Sequence, residues 1–262
     1  MSSDSVAALR TERETLLDFC RDLTDAEWAT PSLAEGWRVQ DVVAHMTALS
    51  RALITPAAIT SMFSRDIEQS NNAPVEKARS QSPQQVLDGF EIWSRRGITA
   101  LRALTLPGVR RIPLPVAEIG TYPLRIFPAL YLFDWHTHLR HDIAPALGRP
   151  TPDTDAPRLA AILAWLMMLL EQSQRTRLNW LDAPLALTLD GPGGGTWRIE
   201  PALGGRLHVR PGTPDGAAAH ITAQSLEFPQ WSTTRRPWTE SDVTLTGNTD
   251  LATHFLNSLN LI

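Results

Sequence analysis

The feature that most constrains how this chain of 262 residues folds is a change in its hydrophobic pattern near Trp180. Before Trp180, apolar residues recur every three or four positions, which is the spacing of amphipathic helices. After it, short β-type runs are separated by glycine and proline, which is typical of strands and turns. The sequence therefore predicts an α+β protein with a helical domain over residues 1–178 and a small α+β domain over residues 183–262.

The first domain is predicted to contain five helices, and two helix-capping motifs are visible in its sequence. The helices cover about residues 5–23, 39–54, 83–106, 127–146 and 157–178. Thr24 and Glu27 have the spacing of a capping box, and Ser82, which precedes a proline, is a strong helix start. The polar stretch 64–81 is interpreted as an exposed connection. Residues 106–123, rich in proline, are interpreted as a long loop, and loops of that length often have a function.

The second domain is predicted to alternate strands with two short helices. Strands are expected near residues 185–189, 197–200, 206–210, 219–223 and 243–246, and helices near 225–231 and 250–259. The glycine-rich stretch 191–195 links two of these strands and opens no helix. It therefore fits a hairpin turn better than a phosphate-binding loop.

Composition excludes several classes of protein. The formal net charge of −4 argues against a dedicated nucleic-acid binder, which usually carries a basic stripe. The most apolar stretch, 159–170, is much shorter than the roughly 20 residues of a membrane span, and no signal peptide is visible. Cys20 is the only cysteine, which excludes an intramolecular disulfide, and it lies on the predicted core side of helix one. We expect a cytoplasmic protein with no nucleic-acid or membrane partner.

The segment from Asp134 to Asp142 carries three of the seven histidines, inside an otherwise apolar predicted helix. Residues four apart share a helix face, so Asp134, His138 and Asp142 lie near one stripe, with His141 close to it and His136 pointing away. A carboxylate and an imidazole at this spacing are half of a typical helix-borne metal site. A hydrogen bond on the helix surface is the alternative interpretation of the pair.

His45 is the best candidate for a third donor. It lies in the middle of helix two, within the apolar run Val43-Ala44-His45-Met46. A buried imidazole costs free energy unless it forms a hydrogen bond or binds a metal. His45 is therefore either a hydrogen-bonded core residue or a ligand.

Three groups of residues resemble known sequences. The string Trp28, Pro31-Ser32, Gly36-Trp37, Val39, Asp41 to His45 resembles the opening signature of the mycothiol-dependent maleylpyruvate isomerase family, among the DinB-like helical bundles. The segment Tyr131 to Ile143 with Leu147 to Pro150 resembles the second metal-binding segment of that family. The pattern of 185–189, Trp197 and 243–256 resembles the sterol-carrier-protein-like domain that many such proteins append.

This resemblance implies an up-and-down four-helix bundle with one divalent metal held between helices two and four. The family ligands are a histidine in the Val-Ala-His string and an acid followed four residues later by a histidine, which carry over as His45, Asp134 and His138. Zn²⁺ is the first choice, with Ni²⁺ or another divalent ion as alternatives. An aspartate stands where glutamate is frequent, and Arg38 stands where a serine or threonine often caps helix two.

The resemblance implies a mycothiol-dependent enzyme. The chain offers no convincing nucleophile of its own, so an outside thiol is a sensible partner. Mycothiol would add to a small electrophile, as in an S-transferase or a maleylpyruvate-type cis–trans isomerase. Asp142 is expected to orient His138, and Arg140, Arg235 and Arg236 are candidates to bind carboxylates. The protein would be a monomer or homodimer. The alternatives are a non-catalytic metal- or thiol-binding stress or regulatory protein, and a metal-assisted hydrolase with Asp142 or His141 as base.

Overall fold

Contacts within the computed structural model divide the chain into two units, Met1–Asp153 and Thr154–Ile262. Residues 2–55, 67–116, 119–174 and 176–261 are described. The first unit is helical and the second is built on a sheet, so the predicted α+β class is confirmed. The helix Ala156–Ser173 falls in the second unit, whereas the sequence places the boundary after it, at residues 178–183.

The first unit is a helical bundle. Its helices are α1 Ser2–Arg21, α2 Asp25–Ala29, α3 Val39–Ala52, α4 Ile67–Ala78, α5 Pro83–Leu104 and α6 Phe127–Thr137. Helix α5 packs on both α1 and α3, and α6 packs on α1, so α1, α3, α5 and α6 form the predicted four-helix bundle. Fully buried leucines such as Leu16, Leu101 and Leu132 fill its core. Each contributes about 1.5–3 kcal/mol relative to an exposed side chain.

Helix α6 continues into a π-helical turn, His138–Ile143. The sequence predicts one helix across this region and does not predict the change of helix type. Gly148, which the sequence places at the end of this helix, has a φ of +60°, a left-handed conformation that favours glycine. Single π-turns inside helices are frequent at functional sites.

Two connections contain secondary structure that the sequence did not predict. Helix α4 lies within the supposedly exposed stretch 64–81, although it includes Pro74, and it packs on α3 with Val75 only 1% exposed. The predicted loop contains strands β1 Pro113–Val116 and β2 Gly120–Pro123, paired antiparallel. Both strands of a two-stranded ribbon are edge strands, which tolerate proline. Because proline is rare in central strands, the sequence pattern of this region indicated a loop.

Both predicted helix caps are confirmed. The Thr24 hydroxyl accepts a hydrogen bond from the Glu27 amide at 3.3 Å, and the Thr24 amide donates to the Glu27 carboxylate at 2.8 Å. Ser82 and Gln85 form the same reciprocal pair at the start of α5. Each cap satisfies amides that the first helical turn leaves without partners.

Glu27 has a second partner that makes its ionisation testable. Arg149 donates to both of its carboxylate oxygens, at 2.6 and 3.0 Å, and this pairing, with the Thr24 bonds, lowers the pKa of Glu27 from 4.5 to about 2. The unfolded chain binds this proton more tightly than the folded one, so the stabilising contribution is complete above about pH 4.5 and is lost as the pH falls towards 2. We expect Arg149→Ala to return the Glu27 pKa towards 4.5 in an NMR titration. Arg21→Ala should leave it unchanged, because Arg21 pairs with Asp18 and Glu91.

The second unit contains one five-stranded sheet. Its strands are β3 Leu185–Asp190, β4 Gly195–Ala202, β5 Arg206–Pro211, β6 Ala219–Gln224 and β7 Val243–Gly247, in the order β5-β4-β3-β6-β7. Neighbours are antiparallel except for β3 and β6, which are parallel. Helices α7 Ala156–Ser173, α8 Phe228–Ser232 and α9 Thr249–Ser258 complete the unit, and α7 packs on β5.

The glycine-rich stretch is the β3–β4 hairpin turn, as predicted. Gly193 has a φ of +67°, and a Cβ there would lie 2.4 Å from the Ala160 backbone nitrogen and 2.6 Å from the Ala156 carbonyl oxygen of α7. Only glycine fits so close to the helix. Among the described helices of either unit, none is long and apolar enough to cross a lipid bilayer.

Candidate metal centre

Helix α3 places His45 in the interior of the first unit. The N-terminus of α3 is held by Asp41, which accepts hydrogen bonds from the Arg38 amide at 3.0 Å and from the Arg38 guanidinium at 3.1 Å. Arg38 has no side-chain oxygen to accept a bond from the first helical turn, as a serine or threonine would, and its amide is instead held by the Asp41 carboxylate. One turn further along, His45 is only 4% exposed, between buried Ala44 and Met46.

Helix α6 and the π-helical turn that continues it present Asp134 and His138 to the same place. His45 Nε2 lies 3.4 Å from Asp134 Oδ1, and His138 Nε2 lies 3.6 Å from the same oxygen. One donor atom from each of the three residues lies within 4.8 Å of the others. The structure thus brings together His45, Asp134 and His138, the trio that spacing and resemblance suggest.

Asp142 fixes the orientation of His138. Its Oδ2 lies 2.7 Å from His138 Nδ1, and its side chain is 3% exposed. With Nδ1–H donating to this carboxylate, Nε2 carries the lone pair that faces Asp134. This is the arrangement in which a ligand imidazole is held by a carboxylate behind it.

The donor set fits a divalent transition metal. Two imidazole nitrogens and one carboxylate oxygen are ligands that Zn²⁺ and its neighbours accept. Ligand atoms about 2.05 Å from a tetrahedral Zn²⁺ are about 3.3 Å apart, which is close to the two separations from Asp134 Oδ1, 3.4 and 3.6 Å, and all three donor atoms lie within 4.8 Å of one another. If these three residues held such an ion, at least one position would stay open, which is typical of catalytic rather than structural sites.

Two residues beside the trio were not assigned a role from the sequence. The Trp37 ring lies 4.9 Å from the His45 ring and 6.3 Å from the His138 ring, measured between centroids. The Tyr131 hydroxyl donates to the Leu49 carbonyl at 3.0 Å, and burial together with the Asp134 charge raises the pKa of Tyr131 above its usual value. Both residues belong to the family-like strings, which are the only sequence signal for them.

Arg140 and His141, two further candidates from the sequence, have other partners in the structure. Arg140 is buried and pairs with Glu12, and its Nε and Nη2 donate to the carbonyls of Pro152 and Asp153. The structure therefore corrects the expectation that Arg140 binds a substrate carboxylate. The His141 ring neighbours the His136 ring, with centroids 6.4 Å apart.

Arg235 and Arg236 belong to the second unit and contact side chains there. Arg235 donates to the Thr233 hydroxyl at 3.1 Å. Arg236 pairs with Glu227 at 3.6 Å and with Glu240 at 3.5 Å. Their proposed contact with a substrate carboxylate stays a prediction.

Cys20 is inert, as its position in the sequence suggests. It is 1% exposed, and burial raises the pKa of its thiol to about 12. Because the thiolate is the reactive form, burial makes Cys20 a poor nucleophile near neutral pH.

The chain is similar to a known protein family and to two mycobacterial proteins. Residues 9–144 match the family model described as mycothiol maleylpyruvate isomerase N-terminal domain. Two uncharacterized proteins of Mycobacterium tuberculosis, from strains CDC 1551 / Oshkosh and ATCC 25618 / H37Rv, are each 26% identical, over 92% of this chain and 89% of theirs. Similarity therefore extends well beyond the helical unit.

Solved structures show a similar fold. A crystal structure of the mycothiol-dependent maleylpyruvate isomerase aligns with a TM-score of 0.61 at 16% identity, and a mutant of that enzyme with 0.58 at 15%. Both alignments cover 94% of this chain and 93% of the other. Sterol carrier protein 2 from Yarrowia lipolytica aligns with 38% of this chain and 88% of its own at a TM-score of 0.26, which is too low to support an argument.

Proposed function

The chain belongs to the mycothiol maleylpyruvate isomerase N-terminal domain family, and on that premise we propose that it is a metal-dependent enzyme that uses mycothiol as a cosubstrate. The observation that carries the proposal is the convergence of one donor atom each from His45, Asp134 and His138 within 4.8 Å. These donors come from two helices far apart in sequence. A chance hydrogen bond on one helix surface does not require the third residue.

The three side chains would hold one divalent ion, Zn²⁺ by first choice. When bound, such an ion acts as a Lewis acid and lowers the pKa of a coordinated thiol. With its Nδ1 proton donated to Asp142, 2.7 Å away, His138 would offer Nε2 as a lone-pair donor. Burial and the nearby Asp134 charge keep the Tyr131 hydroxyl protonated, and its bond to Leu49 fixes it beside the site.

An outside thiol is needed because the chain cannot supply one. Cys20 is the only cysteine, it is buried, and its pKa is raised to about 12. A sulfur nucleophile must therefore come from a cosubstrate. We propose mycothiol in this role because the family model and the solved structures of similar fold bear its name.

Two outcomes of thiol addition are compatible with this site. The mycothiol sulfur forms a bond to an electrophilic carbon of the second substrate. In an isomerase, rotation about the former double bond precedes loss of the thiol, and the cis–trans isomer is released. In an S-transferase, the adduct of an activated double bond takes up a proton, whereas an aryl chloride such as chlorodinitrobenzene expels chloride, and the conjugate is released.

Product analysis of the purified protein tests the proposal. Metal content is measured first, and consumption of maleylpyruvate or chlorodinitrobenzene is then followed with and without mycothiol. We expect consumption only when both metal and mycothiol are present, with an isomer or a conjugate as product. Turnover without thiol would support a metal-assisted hydrolase, and binding of metal or thiol without turnover would support a regulatory protein. Either result would overturn the proposal.

The contact between Asp142 and His138 makes a separate prediction. Asp142→Asn leaves a side chain of similar size but removes the charge that favours Nδ1–H on His138. Loss of such partners typically weakens metal binding about 10- to 100-fold. We expect a loss in this range in a competition titration against a chromogenic chelator. Asp190→Asn is the matched control, because Asp190 is exposed at the end of β3, and equal affinities for both variants would contradict the assignment.

A further inference from the structure

Trp37 lies against both imidazoles of the candidate metal centre but has no part in the proposed chemistry. Its indole is half-buried, with its centroid 4.9 Å from the His45 ring and 6.3 Å from the His138 ring. The two imidazoles are themselves 5.3 Å apart and nearly perpendicular, at 79°. One indole therefore borders rings that come from two different helices.

The segment that carries Trp37, residues 31–38, is tied to the π-helical turn. The Leu33 amide donates to the Asp142 carbonyl at 3.0 Å, and the Ser32 hydroxyl donates to the Trp37 carbonyl at 2.8 Å. Asp142 is also the residue that orients His138. The backbone under the indole is therefore fixed relative to one of the two imidazoles.

A second set of contacts fixes the indole from helix α4 and the residues after it. Trp37 Nε1 donates to Asn72 Oδ1 at 3.0 Å. The Arg79 guanidinium donates to the Gly36 carbonyl at 3.2 Å, directly before the tryptophan. Because the indole is held at its ring nitrogen and at the adjoining backbone, it has little freedom to leave the imidazoles.

We propose that Trp37, held by Asn72, is a positioning residue that closes one side of the metal centre. Its ring offers no lone pair to a cation and only a weakly accepting π face to water, so it would limit how many waters reach a bound ion from that side. It also restricts rotation of the two imidazoles that it borders. The inference rests on the proposed function, since it concerns the metal that His45, Asp134 and His138 would hold.

Co²⁺ binding to the purified protein tests this role, because its visible absorption weakens several-fold when coordination rises from four to six. The variants are Trp37→Phe, Trp37→Ala and Asn72→Ala. We expect Trp37→Ala to bind Co²⁺ about 10-fold more weakly, in line with other residues behind metal ligands, and with weaker absorption per bound ion. Trp37→Phe keeps a ring beside the imidazoles and should restore most of both properties. Asn72→Ala should lie between them.

Trp93→Ala is the matched control. That indole lies on α5 between Arg51 and Arg96, with its centroid 5.3 and 5.0 Å from their guanidinium carbons, and its loss should leave Co²⁺ binding unchanged. Equal Co²⁺ affinity and absorption for wild type and Trp37→Ala would overturn this inference and leave the proposed function standing. If Trp37→Ala does not fold, the same equality for Asn72→Ala overturns it. A wild-type protein that binds no Co²⁺ would overturn the proposed function and this inference together.

Discussion

Replacing His45 with alanine is expected to deprive the protein of its bound divalent metal. Structural zinc sites with four ligands bind with about 10–16 kcal/mol, so each ligand contributes roughly 3 kcal/mol, or about 100-fold in affinity. His45 is 4% exposed and comes from a different helix than the other two donors, so no neighbour on α6 replaces it. Elemental analysis after dialysis against a weak chelator should find little metal in the variant, and thiol-dependent turnover should fall in parallel.

His208→Ala is the control for this prediction. His208 is exposed on β5 in the second unit, so the same substitution there should leave the metal content at the wild-type level. Circular dichroism of the His45 variant establishes that the helical unit still folds. Full metal occupancy in folded His45→Ala would show that the site assignment is wrong.

The sequence was informative about this site where helix geometry is regular. Asp134 and His138 are four residues apart, and that spacing alone puts them on one helix face. His45 stood out because an imidazole inside an apolar helix needs a partner, and the resemblance joined it to the other two. The structure places all three side chains together, while their role as ligands remains our proposal.

The sequence was uninformative where tertiary contacts decide the structure. Nothing in residues 138–143 distinguishes a π-turn from an α-helix, because a single wider turn of six residues is too short to shift the apolar spacing visibly. Helix α4 is polar and includes Pro74, and its packing on α3 outweighs its weak intrinsic propensity. Trp37 reaches the imidazoles only because the residues around it bind Asp142, Asn72 and Arg79, and none of these contacts follows from local spacing.

Arg140 shows how far a residue beside the site can differ from its expected role. The sequence suggested a solvent-facing carboxylate binder, but the guanidinium pairs with Glu12 of α1 in the interior. Glu12 is fully buried, and Arg140 is 4% exposed. Its other donors bind the carbonyls of Pro152 at 3.0 Å and of Asp153 at 2.8 Å. This one side chain therefore links the π-helical turn to α1 and to the end of the helical unit.

Removing one member of this buried pair is expected to destabilise the helical unit strongly. Arg140→Met leaves the Glu12 charge buried without the guanidinium. Glu12→Leu leaves the Arg140 charge buried without the carboxylate. Breaking a buried ion pair in this way costs about 3–5 kcal/mol, a large share of the typical stability of a domain. The free energy of unfolding in urea, followed by circular dichroism, should fall by that amount for each single variant.

The double variant Glu12→Leu/Arg140→Met separates the ion pair from simple loss of packing. If the cost of each single variant is an uncompensated charge, removing both charges should restore much of the stability, because apolar replacements of buried pairs are often nearly neutral. Additive losses in the double variant would instead show that the two side chains act independently.

Arg111→Met, at an exposed arginine, is the control and should change the free energy of unfolding by no more than about 0.5 kcal/mol. Since Arg140 lies two residues after His138, the single variants should also weaken metal binding. Metal binding by the double variant tests whether the π-helical turn keeps its position when the pair is replaced by apolar side chains.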